Sequence, residues 1–272
     1  MSFSPTAVPD LPAEVAGREW YHTLELAPGV LTPGWFDTRK VPARLPIPAS
    51  LAGRRCLDVG TFDGFWAFEM ERRGAAEVIA LDVLDPHGWD WPAGSDAAMV
   101  DALAARKRGG AGFALAQRAL GSRVERIERS VYELDPERDG SFDFVYLGSL
   151  LLHLRDPVLA LERVRAVCEG ELLIVDVVDP WLSLLHPWRP LATLDANGRP
   201  WWWQANLAGL RRMVRAAGFR TVSRPGLVRM PSGRGQQRAP LSPRLLRRRD
   251  ARREALAVRL GDPHAVLLAR RA

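Results

Sequence analysis

Cysteine and lysine are scarce in this 272-residue chain. The two cysteines, Cys56 and Cys168, sit in or beside apolar runs. That excludes a disulfide-stapled scaffold and points to reduced core residues in a cytoplasmic protein. Lysine occurs only at Lys40 and Lys107, so nearly all positive charge is arginine. The net charge of +6 fits either a nucleic-acid partner or, with alanine so abundant, plain codon composition. No stretch approaches the roughly 20 apolar residues that span a bilayer, so no membrane partner is expected. The start, Met1 to Gly17, has prolines and acids where a signal peptide has positive charge and an apolar core. There is no HExxH, no clustered Cys/His set and no nucleophile elbow, which leaves metal-dependent and serine hydrolysis without a basis. No metal site is expected, and no internal repeat breaks the chain into units.

What remains is the composition of a globular protein, with 47% hydrophobic and 26% charged residues. The chain divides into an N-terminal leader and lid segment, 1–50, and one α/β domain, 51–272. Within the domain lie an aromatic insertion, 179–205, and a basic loop, 229–253, read as a solvated loop or a phosphate-contacting arm. Residues 1–16 read as a mobile leader. The leader's second half, from Trp20 to Arg39, is dense in aromatic, imidazole and guanidinium groups. It is either a plain cover over the domain or a lid over cofactor and substrate.

The central stretch is Arg54 to Phe65, a short buried strand followed by a glycine-hinged turn and a helix start. Gly60 turns the chain off the strand and Gly64 allows close helix–sheet packing. Asp63 either caps the helix or meets a ligand's ammonium group, and Glu69 with Arg73 forms an i,i+4 pair on the exposed face. The next strand, Glu77 to Asp82, ends in an acid about 20 residues past the turn, the spacing of a ribose-binding carboxylate. Together these point to a nucleoside cofactor, S-adenosyl-L-methionine first. A nucleotide-dependent dehydrogenase is the rival, disfavoured because two glycines three residues apart are not G-x-G-x-x-G.

Val124 to Val131 reads as a third strand with Tyr132 at its end, beside an adenine or as surface cover. Ser141 to Gly148 is a fourth strand. Asp156-Pro157 opens a helix striped by Leu161, Val164 and Cys168, with Gly170 ending it. Strands follow at Glu171 to Val178, Arg220 to Val228 and His264 to Ala269, and Asn206 caps a helix between the first two. The tryptophans Trp181, Trp188, Trp201, Trp202 and Trp203 form either a sealing cap or the wall of a substrate pocket. His22 and His153 fall in segments expected at the crevice mouth, as packing residues or as general bases.

This order of elements resembles the class I methyltransferases, which implies a Rossmann-like, doubly wound, seven-stranded sheet ordered 3-2-1-4-5-7-6 with the last strand antiparallel. "CLDVGTFDGFWAFEMERRGA" and "FDFVYLGSLLLHLRDPVLALERV" resemble the bacterial tRNA wobble-uridine (carboxy)methyltransferase-like family. By that resemblance Asp58, Gly60 and Gly64 line the methionine part of the cofactor. Asp82 and Val83 meet the ribose, Val131 and Tyr132 the adenine, and Gly148 the sulfonium region. Leu152 and His264 stand where that family has a tyrosine and an arginine, and His22 or Thr23 where it has a lysine. Those departures favour ordinary methyl transfer to a hydroxyl or amine of a small molecule. A tRNA acceptor, or a catalytically silent RNA-binding relative, is the alternative.

Overall fold

The computed structural model describes residues 10–196, 200–223, 225–236 and 259–272. Most of the expected basic loop, from residue 237 on, lies outside the described residues, as do residues 1–9.

Eight strands make one mixed sheet: β1 (Arg55–Val59), β2 (Glu77–Asp82), β3 (Glu125–Glu128), β4 (Phe142–Gly148), β5 (Cys168–Val177), β6 (Phe219–Thr221), β7 (Gly226–Met230) and β8 (Asp262–Arg271). Their spatial order is β3-β2-β1-β4-β5-β8-β6, with β7 also on β8. The first five are parallel and β8 runs antiparallel to β5. This is the expected doubly wound order, with one difference. The expected sixth strand comes as two, β6 and β7, which pair with opposite ends of β8.

Side-chain alternation along each strand builds two apolar layers. Cys56, Val78, Ala80, Phe144 and Tyr146 face one layer, which takes in α1 (Phe65–Arg72) and α3 (Ala111–Leu120). Leu57, Val59, Ile79, Leu81, Val145 and Leu147 face the other, which takes in α4 (Pro157–Val167) and α5 (Leu207–Ala216). Both cysteines are free and buried in these layers. The fifth long helix, α2 (Ala97–Lys107), stands over the carboxyl end of β2. The leader joins the first layer, with Trp20, Leu24 and Leu26 nearly inaccessible. Burying each such side chain stabilises the fold by about 1.5–3 kcal/mol. Residues 11–16, expected to be mobile, form a short helix whose Val15 carbonyl accepts the Trp20 indole N–H.

Other differences are local. β3 is half the expected length, so Val131 and Tyr132 lie on a 3-10 turn beyond it. β5 starts at Cys168 directly after α4, which places Gly170 in the strand rather than at a helix end. Glu69 is buried and holds both Arg72 and Arg73, so that pair packs instead of facing solvent. Among the described residues no helix is long and apolar enough to cross a membrane.

Candidate active site

The carboxyl ends of β1, β2 and β4 open onto a cavity of about 520 Å³, within the range of roughly 300–1,000 Å³ usual for ligand and cofactor pockets. Asp58, Gly60, Asp82, Val83, Val131, Tyr132 and Gly148 line it, and so do His22 and His153. Asp63 and Gly64 do not.

The turn after β1 explains that division. Gly64 has φ +93°, and a Cβ there would sit 2.4 Å from the Phe68 ring, so only glycine lets α1 start against the sheet. Gly64 is also the residue that precedes α1, and no side chain caps the helix. The capping expected of Asp63 is therefore corrected. Its buried carboxylate instead accepts the backbone N–H groups of Tyr21 (2.8 Å) and His22 (2.7 Å), and His22 Nδ1 as well. Asp63 fastens the leader, bringing Tyr21, His22, Trp35 and Phe36 onto the cavity wall.

Asp58 accepts the Thr61 hydroxyl (2.7 Å) and the Ala67 amide (3.1 Å), closing the turn onto α1. Burial pushes its carboxyl up to about 7, against the pull of those two bonds and of neighbouring His22. Phe62 adopts φ +52°, a conformation that costs a non-glycine residue free energy. Its amide donates to Asp82 Oδ2 (3.1 Å) and its ring lines the cavity.

Asp82 has a partner that no sequence spacing announced. Lys107 Nζ, 2% exposed, sits 2.8 Å from Asp82 Oδ2 and 2.8 Å from the Val83 carbonyl. Burial raises the Asp82 carboxyl, and Lys107 draws it back. At the β3 edge, Tyr132 donates its hydroxyl to Asp90 (2.7 Å) and accepts the Asp156 amide (3.0 Å). Tyr132 thereby ties the 85–96 loop to the start of α4. At the end of β4 a Cβ on Gly148 would come 2.5 Å from the Tyr146 hydroxyl, so the strand ends bare at the cavity floor.

Three histidines reach this cavity. His153 is half-buried, its Nδ1 donates to the Pro200 carbonyl (2.5 Å), and desolvation pulls its pKa below the usual imidazole value. His264 was expected only as a replaced arginine. Its Nδ1 faces the Asp262 carbonyl (3.0 Å) and its Nε2 faces the Ser149 hydroxyl (2.8 Å). A carbonyl can only accept, so Nδ1 donates to Asp262 and Nε2 is the ring nitrogen that meets Ser149. Ser149 itself has φ +51°, and its strained turn is fixed by Asp176, which accepts the amides of Leu150 and Leu151. Tyr21 lines the same cavity from the leader side. Burial and the nearby Asp262, Asp176 and Asp63 carboxylates push the Tyr21 hydroxyl well above its usual value.

Of the expected tryptophan wall, only Trp201 lines the cavity. Trp202 and Trp203 donate their indole N–H groups to the carbonyls of Asp90 and Arg155. Trp181 and Trp188 are exposed, at 61% and 90%. Among the described residues no group of three His, Cys, Asp or Glu side chains could hold a metal ion.

The sequence profile of a family described as a methyltransferase domain matches residues 37–224. Among curated proteins nothing matches. Solved structures are similar along most of the chain. The N-terminal domain of EvdMO1, with SAH bound, is 15% identical over 96% of this chain and 94% of that one, with a TM-score of 0.54. The magnesium protoporphyrin IX methyltransferase (ChlM) of Synechocystis PCC 6803, also with SAH, is 16% identical over 86% and 81%, at 0.51. A chain from the complex of the Haloferax volcanii Trm112 methyltransferase activator and a putative methyltransferase is 14% identical over 87% and 89%, at 0.51. At these identities the likeness is one of fold.

Proposed function

Because this chain belongs to the methyltransferase domain family and is an S-adenosyl-L-methionine-dependent enzyme, we propose that it methylates a hydroxyl or amine of a small, largely apolar molecule. The observation that carries this reading is the Ser149–His264 hydrogen bond (2.8 Å) at the wall of a cavity whose lining also includes Tyr21, Trp35, Phe36, Phe62, Trp66 and Met230.

The residues present fit the cofactor. Gly60 faces the cavity from the β1 turn, and an acid ends β2 with Oδ2 held by Lys107 and Phe62. Val83, Val131 and Tyr132 continue that wall toward the β3 edge. In this reading Asp58, Gly60 and Gly64 shape the methionine end, Asp63 serves it by holding the leader in place, Asp82 and Val83 receive the ribose, Val131 and Tyr132 flank the adenine, and Gly148 leaves room at the sulfonium. Bound there, the cofactor supplies an electrophilic methyl group.

The protein's part is to place the acceptor in line and take its proton. The acceptor oxygen or nitrogen would take that methyl group, with the electron pair of the broken C–S bond left on sulfur. The acceptor proton passes to Ser149 as Ser149 gives its own to His264 Nε2. His22, gripped by Asp63, and His153, gripped by Pro200, stand on other parts of the wall as the competing bases.

The test is a methyl-acceptor screen with labelled cofactor, offering phenols, alcohols, amines and tRNA. The accepted compound is then run with His264→Gln, His22→Gln and His153→Gln. The expected result is a small-molecule product, with kcat of His264→Gln down by about 10²–10⁴-fold, cofactor affinity unchanged and the acidic limb of the pH profile lost. Transfer to tRNA alone would overturn the acceptor class. A His264→Gln enzyme with wild-type kcat would overturn the relay.

A further inference from the structure

The chain changes sign at Asp179. Residues 1–179 carry 19 Lys and Arg against 28 Asp and Glu, and residues 180–272 carry 19 against 4. The net charges, −9 and +15, together make the +6 of the whole chain. At this boundary lies an exposed apolar face. A short helix, Pro180–Leu185, and the loop after it present Trp181, Leu184, Leu185 and Trp188, the two leucines at 69% and 68% exposure. The neighbouring hairpin adds Leu194.

These side chains are held out by construction. Asp179 caps the helix by accepting the amides of Trp181 and Leu182. Asn206, fully buried, donates its carboxamide N–H groups to the carbonyls of His186 and Arg189 (both 2.9 Å). Its carboxamide oxygen accepts the Leu191 amide (3.0 Å). A buried amide with this many bonds fixes the loop, so the apolar residues cannot fold back onto the domain. No acid occurs between Asp179 and Asp195. Exposed Arg189 lies within the face, and exposed Arg212 and Arg215 lie on α5, which packs against the short helix. Pro200 and Trp201, just ahead of the hairpin's second strand, line the cavity wall.

We propose that this face docks on an anionic lipid surface, seating the cavity mouth at the bilayer. Leucine and tryptophan side chains beside arginines suit the boundary between acyl chains and anionic headgroups. Aliphatic side chains gain nothing from nucleic acid, where affinity comes from phosphate contacts and stacking. A second copy would set the face against itself in an isologous pair, bringing its arginines together where acids stand only at its ends, Asp179 and Asp195. Trp188 stands almost clear of the fold, which a fluid surface accommodates without a shaped pocket. The expectation of no membrane partner rested on the lack of a spanning stretch, and a surface contact needs none. The proposal does not depend on which acceptor is methylated.

The test uses the full chain with vesicles of phosphatidylcholine alone and of phosphatidylcholine mixed with phosphatidylglycerol. A Leu184→Ser, Leu185→Ser, Trp188→Ser triple variant is compared with wild type. None of the three residues lines the cavity, so cofactor binding by the variant reports that it is folded. Wild type should sediment with the anionic vesicles, more weakly with neutral ones, and less as salt rises. The triple variant should lose about a hundredfold in partitioning, since each side chain withdrawn from lipid forfeits its apolar transfer. No sedimentation of wild type, or equal partitioning of the folded variant, would overturn the proposal. So would a wild-type dimer that the variant converts to monomer, or tRNA binding that the variant loses.

Discussion

Replacing Asp63 with alanine should release the leader from the domain. The carboxylate is 2% exposed and accepts three N–H groups from residues 21 and 22, more than 40 positions away in sequence. Alanine leaves two buried backbone amides and an imidazole N–H without a partner. Each orphaned buried donor costs about 1–3 kcal/mol, and partial relaxation brings the expected total to about 3–5 kcal/mol, a large share of the roughly 5–15 kcal/mol that holds a domain folded. The measurement is urea denaturation combined with amide exchange. Protection should fall at Tyr21 and His22 well below that of β1, whose ladder with β2 and β4 does not involve Asp63. Cofactor affinity should fall too, because Tyr21, His22, Trp35 and Phe36 form one wall of the cavity. Asp63→Asn keeps an acceptor for the amides and should lose less on every count. A loss below about 1 kcal/mol in Asp63→Ala, with both amides still protected, would refute the view that Asp63 fastens the leader.

Two further outcomes follow from the same turn. Asp58 titrates at about 7 in the folded protein and near 3.9 in an unfolded chain, so the folded state binds the extra proton between those values. Asp58 therefore weakens stability progressively as pH rises from about 4 to 7. Asp58→Asn should gain on wild type across that window and show a flat difference above it. Denaturant midpoints at several pH values would show this, and a difference independent of pH would contradict the buried-charge account. Gly64→Ala must force a Cβ against the Phe68 ring in a left-handed conformation, and a melting-temperature drop equivalent to about 2 kcal/mol or more is expected. An unchanged melting temperature would mean that α1 does not start where it is placed.

The parts of the site that were legible in the sequence are those written in short-range spacing. The Gly60–Gly64 turn, the acid at the end of β2 and the bare end of β4 each follow from a strand that must end and turn within a few residues. Pairings between distant segments left no such trace. Asp63 looks like a helix cap until the leader is seen on it, and Lys107 reaches Asp82 only because α2 folds back over β2. Ser149 and His264 are 115 residues apart, and their contact depends on β8 running antiparallel beside β5. Adjacency to Gly148 was the one available hint for Ser149. The tryptophans misled for a related reason. Residue type sets how much apolar surface a side chain carries, but whether Trp188 turns inward was decided by the carbonyls that Asn206 holds.

The central claim is that the cavity at the ends of β1, β2 and β4 is the cofactor site, with Asp82 as its ribose acid. Titration calorimetry with S-adenosylhomocysteine on wild type and Asp82→Ala tests it most directly. The account predicts saturable one-to-one binding by wild type and a loss of about tenfold or more in the variant, the value of a charge-assisted hydrogen bond. Equal affinity for both folded proteins would contradict the assignment of Asp82, and no binding by folded wild type would contradict the site itself.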